Sequence, residues 1–509
     1  MNVSQITPSN IVRVLRNVPL DGSYKDTLTF SSVSAQSSYF IGKTKQAFTD
    51  FTPVRMQNAI RFPVNAQTFY DCNYIMFQNA NFGNKWFYAF ITSVDYININ
   101  MCQVRFDLDI MQTWYFDYTL KPSFVEREHV NDDTIGANLV PENVELGEYV
   151  FEGLNVTNEL SNCGVLVCAT ESPTTENEAT PGNYNGVFSG VGYYFTDSLI
   201  TAGNVLTDVA KPDSILSVTM FPKAFVDYDT SVAGGFGPVT KNTGLKNITF
   251  TANKNTTNIG GYTPKNKKLF TYPYNFLYCT NFNGNSANFR YEYFTTANCD
   301  FRISVDVTPN PTAFCVPLDY KGISVNYNEK ITLNGWPQCA WASDVFKAYL
   351  AQNATSTAVN VMSSAIGMGM TFATGGAAAA VASATTMAGT VAKLADLSAL
   401  PPQAHGTPTS NTNLAAGTLE FGFSQCHCDE EFLKIIDDYF NVRGYAVHEV
   451  KIPNRTGRQS WNYVKTIDCK ATGSIPFDDL AQIRSIYDSG ITFWHGDYVG
   501  DYSRSNNII

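Results

Sequence analysis

The 509-residue chain is expected to be mainly β with a few helices, built from several domains, with one long uncharged Gly/Ala-rich loop or helical hairpin. Three observations lead there. Apolar and polar residues alternate with period two in several stretches, the signature of half-buried strands. Apolar residues at helical spacing occur only in the last third of the chain. Charged residues make up 16% of the chain, yet none occurs between Ala348 and Ala392, a gap of 45 positions. Length alone asks for three or four domains at ~150 residues each, and 14% aromatic residues supply ring area for several cores.

Residues 1–130 read as β-structure. Trp86-Phe87-Tyr88-Ala89-Phe90-Ile91 is a short buried run. Val104, Phe106, Leu108 and Ile110 then alternate with Gln103, Arg105, Asp107 and Asp109, and Asn98-Ile99-Asn100 suits the turn between the two. Residues 131–330 form a β-rich middle with long loops, broken by Gly, Pro, Asn and Thr; its clearest strand carries Phe301, Ile303, Val305 and Val307. Residues 331–410 hold a helix, with Trp341, Val345 and Tyr349 on one face, followed by the uncharged stretch. Residues 411–509 are α+β. One helix starts near Asp429 with Phe432, Ile435, Ile436, Tyr439 and Phe440 as its stripe and Gly444 as its stop. Another places Leu480, Ile483 and Tyr487 on one face between Pro476 and Gly490, and a strand Ile491-Thr492-Phe493-Trp494 follows.

Catalytic and cofactor motifs fail one by one. Gly42-Lys43-Thr44 ends like a phosphate loop, but position 37 is Ser where the first glycine belongs. Gly235-Phe236-Gly237 runs into Pro238 and opens no helix, and His448-Glu449 lacks a second His at Ile452. Cys426-His427-Cys428-Asp429 is a compact group of soft ligands without a second pair nearby, and reads as buried thiols before a helix. The acid pairs Asp132-Asp133, Asp437-Asp438 and Asp478-Asp479 define no cleft, and Asp437-Asp438 is expected on the wet side of its helix. No enzyme, cofactor or metal is expected. Eleven cysteines point to free thiols in a reducing compartment. The opening Met1-Asn2-Val3-Ser4-Gln5 has no basic region, which points away from a secretory signal. A formal charge of −11 argues against gripping DNA, since phosphate binding needs surplus Lys and Arg.

In the uncharged stretch, 14 Ala, 5 Gly, 4 Ser and 7 Thr are interspersed with larger apolar residues. Those are Val359, Val361, Met362, Ile366, Met368, Met370, Phe372, Val381, Met387 and Val391, among glycines that include Gly367, Gly369, Gly375 and Gly376. A resident transmembrane helix wants ~20 mostly large apolar residues, which this stretch lacks, though it is long enough to cross a bilayer and return. Ala365-x-x-x-Gly369 and Gly375-x-x-x-Ala379 would let helices approach closely. Composition leaves three readings open: a membrane-active loop, a small-residue helix pair packed in a core, or a flexible loop.

Three blocks carry a family resemblance. The first is Tyr74-Ile75-Met76-Phe77-Gln78-Asn79-Ala80, continuing from Phe82 to Phe90. The second is Gln112-Thr113-Trp114 with Ser123-Phe124-Val125-Glu126-Arg127-Glu128-His129. The third is Trp461-Asn462-Tyr463-Val464-Lys465-Thr466 with Asp479-Leu480, Ile483-Arg484 and Gly490-Ile491-Thr492-Phe493-Trp494-His495. Together they closely resemble the tail knob (distal tail tube) proteins of small short-tailed bacteriophages, the picovirus-type podoviruses of Gram-positive bacteria. The resemblance covers residues 10–130 and 330–505, and none is traced through the middle.

The resemblance implies a β-rich multidomain tube subunit: a tube domain at 1–130, a knob region at 131–330, and a C-terminal part at 411–509 completing the tube. It implies a homohexamer in the distal tail of the virion, assembled in the host cytoplasm and joined to upper tail and lower collar proteins. It also implies that the 348–392 loop plugs the lumen and later inserts into the host cytoplasmic membrane as a pore. The inserting residues would be Val359, Val361, Met362, Ile366, Gly367, Met368, Gly369, Met370, Phe372, Gly375, Gly376, Val381 and Met387. Viral DNA would pass without specific binding, a role that an acidic wall suits because it lacks the cations that would hold phosphates. Two alternatives are a tail-associated cell-wall or polysaccharide hydrolase, with the acid-rich 130–150 stretch as the place to look, and a receptor-binding module in 130–330.

Overall fold

Strand alternation decides most of the architecture. In the computed structural model, residues 10–49, 58–79, 83–160, 162–174, 179–198, 202, 205, 214–232, 235–334, 336, 338–339 and 420–509 are described. They fall into two units: residues 1–145, 264–269 and 430–509 in the first, and 146–263 with 270–429 in the second.

The first unit joins sequence-distant pieces. Its six-stranded antiparallel sheet runs Thr44–Thr49, Asn10–Arg16, Cys72–Asn79, Trp86–Asn98, Met101–Leu108, Ala59–Phe62. The expected alternation holds at Val104 and Phe106, which are buried while Arg105 and Asp107 are exposed. The Asn98–Asn100 turn forms, with the Asn100 N–H donating to Asn98 Oδ1 at 2.9 Å. Ile110 leaves the strand for a short helix instead. A five-stranded sheet runs Asp26–Leu28, Ile491–Trp494, Trp461–Ile467, Ser123–Glu128, Tyr445–Lys451. Its pairs are antiparallel except that between Asp26–Leu28 and Ile491–Trp494.

Four helices with described bounds, all in this unit, are α1 (Val33–Gly42), α2 (Ile110–Thr113), α3 (Glu430–Arg443) and α4 (Phe477–Ser489). Helix α4 matches expectation: Leu480, Ile483 and Tyr487 are buried, and Gly490 caps it at φ 91°. Helix α3 also forms and ends at Gly444, whose N–H donates to the Phe440 carbonyl at 2.8 Å. Its buried face, however, is Leu433, Ile436, Asp437 and Phe440. Ile435, expected inside, is 64% exposed. Helix α1 was not foreseen among helices expected only late in the chain. Its buried side is Gln36 and Phe40, too little apolar periodicity to register. Gln36 Nε2 donates to the Gln112 carbonyl (2.8 Å) and to Gln112 Oε1 (2.9 Å), so a polar network replaces part of the core.

The second unit is built from antiparallel sheets. One orders Tyr149–Val156, Gly422–Cys428, Asn275–Thr280, Ser286–Phe289. Another orders Gly237–Pro238, Gly192–Thr196, Cys163–Ala169, Ile215–Pro222, Gln338–Cys339. A third runs Asn247–Ala252, Cys299–Val305, Ala313–Tyr320, Ile323–Val325, with Ile331–Leu333 also on Ala313–Tyr320. The foreseen Phe301 strand is present, with Phe301, Ile303, Val305 and the following Val307 at 0% exposure. Cys163–Ala169 is buried at every position. A wholly buried strand shows no alternation, so no period-two pattern marks this one in the sequence.

Candidate functional site

All thirteen residues named for membrane insertion, from Val359 to Met387, lie outside the described residues, as do the Trp341–Tyr349 helical face and the whole of 348–392. The described chain does show what brackets this segment. On its N-terminal side the backbone of Gln338–Cys339 pairs with Ile215–Pro222, in the register Val218↔Cys339 and Thr219↔Gln338. This is the edge of its sheet. Two residues earlier, Trp336 is 1% exposed within the core of the second unit. On the C-terminal side the chain re-enters at Glu420, which is buried and accepts a hydrogen bond from Thr157 Oγ1. The Phe421 N–H donates to Thr157 Oγ1 (3.3 Å) and the Thr157 N–H to the Phe421 carbonyl (3.2 Å). Gly422 packs so closely that a Cβ there would sit 2.3 Å from the Phe282 ring. Phe423 stacks on Phe250 (4.6 Å, 19°) and lies 4.7 Å from Phe301. Both roots are thus fixed in one unit by ladder bonds and a buried ring. Trp336 and Thr157 carried no sequence signal, because each matters through contacts distant in the chain.

The acid-rich stretch offers no catalytic pair. The Glu142 side chain is fully buried, ion-paired with Lys268 Nζ at 2.6 Å and with Arg127. Burial pushes the Lys268 ammonium down while Glu142 opposes the shift. Asp133 accepts from the Tyr445 hydroxyl at 2.5 Å and from the Lys267 N–H at 3.2 Å; burial raises its carboxyl. Asp132 accepts the Thr134 N–H at 2.8 Å in a turn. Asp437, expected in water, is at 0% exposure. Its carboxylate accepts the Lys265 N–H (2.7 Å), the Asn266 N–H (3.0 Å) and Asn266 Nδ2 (2.8 Å), and so ties 264–269 into the first unit. Only Asp438 faces solvent, paired with Lys265 at 3.0 Å.

Cys426, His427 and Cys428 are consecutive strand residues, so the two thiols share one face and the imidazole takes the other. Burial raises the thiols to about 11 and about 12. They stay protonated at neutral pH, a poor state for holding a metal. His427 Nδ1 lies 2.7 Å from the Cys428 carbonyl, and Gly260 at φ 54° comes so near that a Cβ would meet the ring at 2.7 Å. Among the described residues no three His, Cys, Asp or Glu side chains converge, and no helix is long and apolar enough to cross a membrane. The ten cysteines whose side chains are described are free and buried.

A family model described as the C-terminal domain of the tail knob protein gp9 of Bacillus phage phi29 matches residues 239–507. The chain belongs to this tail knob family. A second model, the caudoviral major tail protein N-terminus, matches residues 7–119. The tail knob match begins inside the 131–330 region, so the resemblance extends further than the three sequence blocks reached. The tail knob protein gp9 of Bacillus phage B103 is 28% identical over 593 residues, covering 98% of each chain. That of Bacillus phage phi29 is also 28% identical, over 596 residues, again with 98% of each covered. The solved structure of the bacteriophage C1 tail knob protein gp12 shares the fold: TM-score 0.66 at 16% identity, covering 98% of this chain and 100% of that one. As a tail knob protein the chain is a structural component of the virion tail, and the relatives carry no enzyme's name.

Proposed function

We propose that this tail knob protein forms a homohexameric conduit for DNA ejection at the distal tail, held to the upper tail and lower collar proteins. In this reading residues 348–392 plug the lumen, then leave it and insert into the host cytoplasmic membrane as a pore. The observation that carries the proposal is the 45-residue charge gap set between two anchored roots, Trp336 with Gln338–Cys339 and Glu420–Cys428. An inserting segment must be free of charge, because each Asp, Lys or Arg at a bilayer centre costs ~2.5–3.5 kcal/mol. It must also pull against a base that does not unravel. Six copies would shelter one another's mildly apolar surface until release. The net charge of −11 suits a wall along which DNA slides without being held.

Deleting 357–392 in the phage tests this. The expected particles assemble and adsorb at the normal rate but deliver no DNA, measured as loss of genome entry into cells. Normal infectivity of the deletion particles overturns the membrane role. The acid-rich stretch gives the hydrolase alternative no support, since Asp132, Asp133 and Glu142 are engaged in turn, strap and buried ion-pair contacts.

A further inference from the structure

His427 lies on Gly422–Cys428, the strand by which the chain returns from the uncharged segment, and is 2% exposed. Its Nδ1 is 2.7 Å from the Cys428 carbonyl. A carbonyl only accepts, so Nδ1 carries the proton, and in the neutral ring Nε2 is left as a bare lone pair. That Nε2 is buried without a hydrogen-bond partner among the described residues. What faces it is another acceptor, Glu152 Oε2, at 3.5 Å. Two lone pairs aimed at each other repel, so a positive species belongs between them.

The geometry narrows what that species is. A separation of 3.5 Å is long for an N–H···O bond, which runs ~2.7–3.2 Å, so a shared proton closes the gap poorly. A tetrahedral zinc bound to one imidazole nitrogen and one carboxylate oxygen sets them roughly 3.4 Å apart. An imidazole whose other N–H rests on a backbone carbonyl is the usual posture of a metal ligand. Asn275 stands directly opposite His427 in the ladder. It is at 0% exposure, and its Nδ2 is a second buried donor without a partner. A water on the metal would accept from it. Glu152 belongs to the edge strand Tyr149–Val156 and its side chain is 48% exposed, which leaves a path for the ion and its waters.

We propose that His427 Nε2 and Glu152 bind a divalent transition-metal ion of the zinc type, with water completing its coordination. An imidazole paired with a carboxylate suits zinc, whereas calcium and magnesium take oxygen ligands throughout. The buried thiols of Cys426 and Cys428 take no part, since they leave their strand on the face opposite His427. The ion clips the edge strand to the strand that roots the uncharged segment, and so stiffens that root. The site does not depend on the conduit reading.

The test titrates Zn²⁺ into the chelator-treated full chain by calorimetry, with Co²⁺ as a spectroscopic stand-in. One ion per chain is expected, and zinc should slow hydrogen exchange in Tyr149–Val156. His427→Gln should abolish uptake. Glu152→Gln, at a half-exposed position that folding tolerates, should weaken it by at least ~10-fold, the smaller loss seen when only an outer partner of a metal is removed. The Co²⁺ form should show ligand-field absorption without a sulfur-to-metal charge-transfer band. No uptake, equal affinity of wild type and Glu152→Gln, or a thiolate band each overturns the proposal. The first outcome leaves a proton to fill the gap, and the last moves the metal to the cysteines. DNA delivery by the 357–392 deletion phage reads the conduit separately, so either idea can fail alone.

Discussion

The two units solve the same problem, burying a β-rich chain, with different chemistry. The first draws on three separated pieces of sequence and puts charges inside. Glu142 sits with Lys268 and Arg127, Glu128 pairs with Lys451 at 2.6 Å, and Asp437 holds two backbone N–H groups of 264–269. Both units bury rings, but the second does so with few buried charges: Phe289, Phe294, Phe301, Tyr320 and Phe423 contact one another at 4.7–6.5 Å. It also keeps one edge strand bare, with Phe151 56% and Leu154 58% exposed on Tyr149–Val156. Buried ion pairs are weak sources of net stability, but removing one partner is expensive. Where distant segments must meet in a single register, that penalty excludes wrong pairings. Ring packing is less particular about register, and it provides a stiff base from which the 340–419 segment departs and returns.

The sharpest break should come from emptying each interior in turn. Glu142→Ala leaves the charges of Lys268 and Arg127 without their carboxylate, and Phe423→Ala opens a cavity beside Phe250 and Phe301. Each is expected to cost ~3–5 kcal/mol. Hydrogen exchange should show the Glu142 variant losing protection in Trp461–Ile467, and the Phe423 variant losing it in Cys299–Val305. Equal loss in both strands from either variant would show that the two interiors do not respond separately.

Acid provides a smaller test, aimed at the first unit. His129 is 2% exposed, and burial, with Arg458 and Arg127 nearby, depresses its imidazole from 6.5 to about 3. Its Nδ1 accepts the Tyr463 N–H at 2.8 Å, and Nε2 faces the Asn441 carbonyl at 3.1 Å, an arrangement for the neutral ring. Because the unfolded chain takes up the proton below pH 6.5 and the folded one does not until about 3, stability is lost as pH falls through that window. At pH 5 the loss is ~2 kcal/mol. Asp109 works the other way: burial raises its carboxyl to about 6, so the folded state gains relative stability below that pH. The difference is isolated in His129→Gln, which keeps a donor and an acceptor but does not titrate. Denaturant unfolding at pH 7 and pH 5 should show wild type losing ~2 kcal/mol more than the variant.

The smallest expected effect is at α1. Ser32 Oγ accepts the Ala35 N–H at 3.1 Å, so Ser32→Ala should lower stability by ~1 kcal/mol. The loss should appear as faster exchange in Val33–Gly42, with little change in the second unit.

How much of this was readable beforehand follows from how local each feature is. Helix α4 is legible because Pro476 near its start, the 480/483/487 stripe and Gly490 just past its end are all local. Strands Met101–Leu108 and Cys299–Val305 announced themselves by alternation. Helix α3 was placed correctly but turned wrongly. The five residues from Phe432 to Phe440 looked like its core stripe, yet Asp437 went inside and Ile435 out, because the partners of Asp437 at 265 and 266 lie 171–172 positions away. Helix α1 was invisible because half of its buried face is Gln36, whose partner is Gln112.

By itself the sequence determined the β-rich class, the late helices and their caps, the charge gap and the tail knob family, since each rests on neighbours in the chain or on order along it. Tertiary structure alone decided which acids are buried, which thiols share a strand face, and where the uncharged segment is rooted. Those are properties of side chains brought together from distant positions, where burial and an available partner, rather than residue type, set whether a charge or hydroxyl is tolerated.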